Sequence, residues 1–401
     1  MRRSAILISA AIVGACALFV LTRQASDMAM VPVEECPAQV LGNRLGVHRL
    51  MFGAQVEDHT AQRVPFVARY RYLAGPVPSP GCTSCKTCEI DGTSCENPDG
   101  CGWWGCWQDD SVAPGRIASD FVRGPQQASI LTYYTWLAIS GGVEGQAEVD
   151  ALSDPDRVSR WLSDFRFLAQ TIADSGAVVV HVEPDLLGFV QKSSADPTHI
   201  PVDLSKVHEC SELAANASSI VPCWRMLLSS HAPDALLGVH VSAWSAGVDL
   251  MRTSQHVDVQ QHADDTAAFL RAASLDADVL FVEASDRDAG FDGDLWSGRQ
   301  PSFERAVQWA GALTQATGLP HLWWQVPMGT PGLQNTCGQY MDNRVVQFVE
   351  HRQAVARAGA IGVVFGAGAE CMTTAESDDG AFLAAIAPGL TNPPVLCGER
   401  R

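Results

Sequence analysis

Two acidic clusters carry most of the chemistry legible in this sequence. The first is Glu183-Pro184-Asp185, inside the stretch AVVVHVEPDLLGFVQ at residues 177–191. The second is Glu283-Ala284-Ser285-Asp286-Arg287-Asp288, closing the run VLFVEA at residues 279–284. Paired carboxylates can divide acid–base work: one stays protonated and donates, while the other stays ionised as base or nucleophile. Cleavage of a glycosidic bond needs such a pair. Glu183 and Glu283 are the main catalytic candidates, supported by Asp185 and Asp286. Asp288 and Glu370 are lesser acids of the same rim.

The elements that must position these groups follow from the patterning. The valine-rich run before Glu183 reads as a strand buried on both faces, and Pro184, which cannot donate to a ladder, ends it. Side chains alternate along a strand, so His181 and Glu183 share one face and Phe281 and Glu283 share another. Further strands are read at residues 44–53, 66–73, 129–136, 236–244, 321–326 and 361–365. Residues 31–45 read as irregular. Helical spacing covers 154–174, 205–231, 262–274, 301–317, 339–358 and 378–386. Eight strands with helices between most of them predict an α/β chain folded as a (β/α)8 TIM barrel with a disulfide-rich insertion after strand two. A doubly wound sheet would place a glycine-rich phosphate loop after its first strand, and the sequence has none. In a barrel the C-terminal strand ends form one mouth, where the two acidic clusters converge.

Aromatic and amide residues fall at the same ends. Eight of the eleven tryptophans lie at strand ends or in loops of that rim: Trp103, Trp104, Trp107, Trp136, Trp244, Trp296, Trp323 and Trp324. Indole faces stack on the C–H faces of sugars. Trp136, Trp244, Trp323, Trp324, Gln325, His181 and His240 are therefore the expected substrate-binding residues. His181, His240 and His48 also read as buried polar residues of the barrel, and Arg69 and Arg71 as partners for the central carboxylates.

The stretch VVVHVEPDLLG, the acids at later strand ends and WWQVP on strand seven together resemble a secreted glycoside-hydrolase-type TIM barrel. Glu-Pro-Asp is similar to a motif of the cellobiohydrolase family, glycoside hydrolase family 6. There a strand ends in Glu-Pro-Asp-Ser-Leu and an Asp-Arg-Asp segment supplies the acid. Here Asp286-Arg287-Asp288 follows Glu-Pro-Asp instead of preceding it, and Leu186 replaces the serine, so no acid role is transferred. The resemblance implies an enzyme that hydrolyses glycosidic bonds. Two alternatives stand beside it. One is a non-catalytic carbohydrate-binding or cell-envelope barrel protein. The other is a metal-dependent hydrolase using His48, His181, His240, Glu183 and Asp286, although strand one lacks a His-x-His pair. The favoured reading needs neither metal nor cofactor.

Composition limits the partners. The formal net charge is −18, and the lysines are Lys86, Lys192 and Lys206 alone. Without a basic patch, nucleic acid is a poor partner, and a polysaccharide or oligosaccharide is easily accommodated. Residues 1–30 read as a signal peptide or membrane anchor, with residues 5–21 as the apolar run. Residues 31–401 read as the barrel domain, carrying a cysteine-rich insertion at 76–124 expected to overhang the mouth. A secreted, periplasmic or cell-surface location follows. Of thirteen cysteines, Cys16 lies in the leader and six sit in the insertion, Cys82, Cys85, Cys88, Cys95, Cys101 and Cys106. Those six read as three disulfides, with a zinc site as the alternative. Barrel closure makes Cys36 and Cys397 natural partners; Cys210 with Cys223 would pin the loop after strand four, and Cys337 with Cys371 would join the loops after strands seven and eight.

Overall fold

The structure is a computed structural model that describes residues 36–75, 104, 115–293, 295–296 and 302–398. The leader at 1–30, the six insertion cysteines, Trp103 and Trp107 lie outside the described residues.

Eight parallel strands close into a barrel in chain order. They are β1 (Met51–Ala54), β2 (Ala68–Ala74), β3 (Ala128–Tyr134), β4 (Val179–Val182), β5 (Leu236–Val241), β6 (Val279–Glu283), β7 (His321–Val326) and β8 (Ala360–Phe365). β8 returns to pair with β1, from Met51 opposite Gly362 to Ala54 opposite Phe365. α1 (Pro37–Leu45) precedes the barrel, and α2 (Asp58–Arg63) follows β1. α3 (Arg116–Val122) leads into β3. α4 (Trp136–Ser140), α5 (Gln146–Ala151) and α6 (Pro155–Thr171) connect β3 to β4. α7 (Leu186–Ser193) and α8 (Ile220–His231) connect β4 to β5, and α9 (Val259–Ala272) connects β5 to β6. α10 (Ala289–Asp292) and α11 (Phe303–Thr317) precede β7. α12 (Arg344–Glu350) and α13 (Arg352–Arg357) precede β8, and α14 (Ala381–Thr391) follows it.

Local chemistry explains the main helices. Asp154 caps α6, its side chain accepting from the backbone N–H groups of Asp156 and Arg157, and Pro155 fills the first helical position. Ser302 caps α11 through the Arg305 N–H, and Gly318 ends it in the left-handed region. Both helices bury one apolar stripe, Val158, Trp161, Leu162, Phe165 and Leu168 in α6. Several expected boundaries need correction. Residues 37–45, read as irregular or as strand, form α1, because Ala38, Leu41 and Leu45 recur at helical spacing and are buried. The helix expected over 205–231 begins only at Ile220, with Pro222 in its first turn, where a missing N–H costs little. The helix expected over 339–358 breaks at His351. The segment expected as a cysteine-rich insertion, 76–124, contains α3.

Alternate strand residues fill the barrel. Val179, Leu236, Val279, Phe281, Leu322 and Trp324 belong to one buried cluster inside it. Gly238 on β5 makes room for the Phe281 ring, which a β-carbon there would strike. That ring stacks on His181 at 3.9 Å between centroids. The three expected disulfides outside the cysteine-rich insertion are present: Cys36–Cys397, Cys210–Cys223 and Cys337–Cys371. Among the described residues no helix is long and apolar enough to cross a membrane.

Candidate active site

The strand ends surround an open pocket of about 420 Å³. Its acids are Asp185, Glu283, Asp286, Glu144 and Asp249, and its aromatic walls are Tyr72, Tyr134, Phe189, Trp244 and Trp324. Ser242, Ser285, Arg252, Arg287 and Gln325 add further polar groups to the lining.

Glu283 reaches the pocket from the last position of β6, on the inward face predicted by alternation. Gln325 Nε2 approaches its Oε1 at 3.5 Å, and the Tyr72 hydroxyl donates to Gln325 Oε1. Asp185 accepts a hydrogen bond of 3.0 Å from Ser242 Oγ. Asp286 sits further out, paired with Arg287 at 2.9 Å. Burial pushes the Glu283 carboxyl well above the carboxylate range, and the negative charges of Asp185 and Asp286 push it the same way. Burial also raises Asp185, to about 6, against the pull of the Ser242 hydrogen bond.

Glu183 is not in the pocket, contrary to expectation. Its backbone enters the left-handed region at φ 37°, and Asp185 does so again at φ 71°. These two reversals around Pro184 break the strand alternation. The Glu183 side chain turns outward beneath α4 and α6, 1% exposed. There it accepts from Trp161 Nε1 at 2.6 Å and from the backbone N–H groups of Thr135 and Trp136 at 3.2 and 3.1 Å. Asp185 takes the inward place. Burial lifts Glu183 to about 8, against those three donors.

The expected tryptophan ring is also reduced. Trp244 and Trp324 line the pocket. Trp136 begins α4, fully buried against Trp161 at 4.8 Å. Trp323 points to the helix layer and packs on Phe348 at 5.0 Å. Trp104 is buried on α6, stacked on Phe167 and donating to Asp164 at 2.9 Å, so it does not overhang the mouth. Trp296 is buried against Phe303 and Phe348.

His181 and His240 lie in the barrel interior below the pocket. Thr132 Oγ1, His181 and His240 form a string with 3.2 Å links, from Thr132 to His181 Nδ1 and from His181 Nε2 to His240 Nδ1. Burial holds both imidazoles neutral, His240 at about 3. His48 is exposed and remote from the pocket lining. Arg69 bonds Val56 and Asp58 instead of a central acid, and Arg71 lies over Phe121. Asp288 is fully buried and ties the loops after β7 and β8, accepting from Gly329 and Thr373 N–H at 2.9 and 2.8 Å. Glu370 is exposed and outside the pocket lining. Asp185, His240 and Glu283 offer three ligating atoms within 4.8 Å of one another.

Sequence reasoning missed Tyr72, Tyr134, Glu144, Asp249, Arg252 and Arg287 as parts of the lining. Alternation marks Tyr72, two residues after the inward Tyr70; Glu144 and Asp249 sit in irregular loops and carry no periodic signal.

No family model matches the chain, and no curated protein matches it. Similar solved structures include an engineered protein at 12% identity, TM-score 0.46, covering 90% of this chain and 72% of that one. A GH5 xyloglucan-specific β-1,4-glucanase from a ruminal metagenomic library, in complex with XXLG, has 11% identity, TM-score 0.42, and coverage of 86% and 88%. A β-glycosidase has 13% identity, TM-score 0.43, and coverage of 86% and 87%. Likeness at this level leaves the fold to the strand pairing and the activity to the side chains.

Proposed function

We propose that this chain is an exported carbohydrate-active enzyme that hydrolyses glycosidic bonds, with Glu283 as proton donor and Asp185 as nucleophile. The observation that carries the reading is the convergence of Asp185, Glu283 and Asp286 on one open pocket beside the indoles of Trp244 and Trp324. The pattern of burial supports the division of roles. Glu283 is pushed far upward and keeps its proton, whereas Ser242 favours the ionised form of Asp185. Gln325, held by Tyr72, offers its amide to one Glu283 oxygen and leaves the other free to carry the proton. Glu283 gives that proton to the leaving oxygen as the C1–O bond breaks and an Asp185 oxygen bonds to C1. Water, deprotonated by Glu283, then displaces Asp185. The ligating oxygens of the two acids lie within 4.8 Å. So close an approach is compatible with the retaining arrangement, in which the carboxyl groups stand about 5–5.5 Å apart. The three disulfides support an oxidising, extracytoplasmic location.

The test is a screen of the purified chain against diverse polysaccharides, beside Glu283→Gln. Wild type should cleave at least one glycan, and the variant should lose turnover by about 10³-fold or more while still binding it. If neither binds nor cleaves any sugar, the reading fails.

A further inference from the structure

Sugar cleavage by two carboxylates leaves one buried nitrogen beneath the pocket without a task. His240 is 2% exposed, and its Nε2 has no hydrogen-bond partner. That nitrogen faces Asp185 Oδ1 at 3.8 Å, beyond hydrogen-bond reach. An imidazole that ligates a metal carries its one ring proton on the other nitrogen. The string behind it offers a place for that proton. His240 Nδ1–H can donate to His181 Nε2, and His181 Nδ1–H to Thr132 Oγ1, each across 3.2 Å. This direction leaves the Nε2 lone pair of His240 on the side of Asp185 Oδ1.

We propose that Asp185, His240 and Glu283 form a binding site for a zinc-class divalent cation. One imidazole nitrogen and two carboxylate oxygens are a mixed donor set that suits zinc and its neighbours, whereas magnesium and calcium take oxygen alone. The three ligating atoms already lie within 4.8 Å of one another. Tetrahedral bonds of about 2.1 Å place such atoms about 3.4 Å apart, inside the span these three already occupy. His181 has the place of the outer partner that fixes the tautomer and orientation of a ligating histidine, and Thr132 stands behind it. Phe281, stacked flat on His181, holds that partner in plane. An ion held here engages both Asp185 and Glu283, so it lowers sugar turnover instead of assisting it. Binding itself does not depend on the glycosidase reading.

The full chain, with its disulfides formed, is stripped of metal with a chelator and titrated with zinc against a chromophoric competitor. One zinc per chain is expected, tighter than about 10 μM, with imidazole scattering in the zinc-edge absorption spectrum. His240→Phe and, separately, Glu283→Gln should each weaken binding by about tenfold or more. Two variants on different strands guard against a folding failure in one, and a thermal melt of each reports folding. No zinc bound at about 1 mM overturns the proposal. So does zinc held equally by wild type and both folded variants, since the ion then sits elsewhere. Polysaccharide cleavage by the stripped protein is read separately, so the zinc site and the glycosidase reading can fail independently.

Discussion

Glu183 and Asp185 are two residues apart and chemically alike, yet they face opposite ways. Period-two reasoning assigns both to the mouth; the two positive φ angles around Pro184 send Glu183 outward. Such strained non-glycine conformations cost about 1–3 kcal/mol each and persist where surrounding structure imposes them. Here the imposition comes from the three donors that hold the Glu183 carboxyl. Glu183→Ala leaves them buried and unsatisfied and should lower unfolding stability by about 3 kcal/mol or more, read by denaturant titration. Because burial raises Glu183 to about 8 from its ordinary 4.5, its contribution is greatest below pH 4.5 and is lost as pH rises through 8. Melting temperature plotted against pH should therefore fall less steeply across that window in Glu183→Gln than in wild type. The pocket acids predict a different profile. Turnover should fall as pH drops through about 6, where Asp185 takes up a proton. It should also fall on the alkaline side, where Glu283 loses its own. A flat profile across pH 4–9 counts against these roles.

Among the elements, β6 and β7 show what alternation can and cannot decide. β6 places Glu283 inward as expected because its inward set, Val279, Phe281 and Glu283, keeps strict period two. β7 reads HLWWQV, with one tryptophan on each face, so its largest side chains do not say which side is inside. Alternation puts His321, Trp323 and Gln325 on one face and Leu322 and Trp324 on the other, and the barrel interior takes the second set. Gln325 still reaches the pocket, because the β7–β8 register slips between Trp323 and Val326 and Gln325 adopts φ 54°. The loop after β8 fits against this irregularity. A β-carbon at Gly368 would run into Gln325 Nε2 and the Asp286 backbone. Gly368→Ala should therefore displace Gln325 from Glu283 and reduce kcat by about tenfold or more with the fold retained, checked by steady-state kinetics beside a far-ultraviolet spectrum. The strand count, the crossover helices and the acidic β6 end were legible because they depend on periodicity and punctuation. The β4 reversal and the β7 slip were not, because both arise from tertiary packing that leaves no period behind.

Over the whole molecule, the closed strand order explains why cysteine pairing could be anticipated. A barrel must bring β8 beside β1, so Cys36 and Cys397 meet across 361 residues, with their Cα atoms 6.6 Å apart. Cross-linking so long a loop removes much freedom from the unfolded chain, on the order of 5 kcal/mol in the chain-entropy account. The double substitution Cys36→Ser, Cys397→Ser should lower the melting temperature by several degrees while leaving polysaccharide turnover at low temperature within about twofold of wild type. A loss of turnover in the folded variant would show that the disulfide also shapes the pocket.

The Cys36–Cys397 disulfide brings the two ends of the barrel domain together. A short linker across that junction would free the ends to be moved. Gly176 is a suitable new opening: it turns before β4 at φ 71° with open space around it, and a barrel strand begins at the end remote from the mouth. A chain permuted there would keep all eight strand pairings and the spatial arrangement of the acids. The order in which the residues are synthesised is thus separable from the arrangement that does the chemistry.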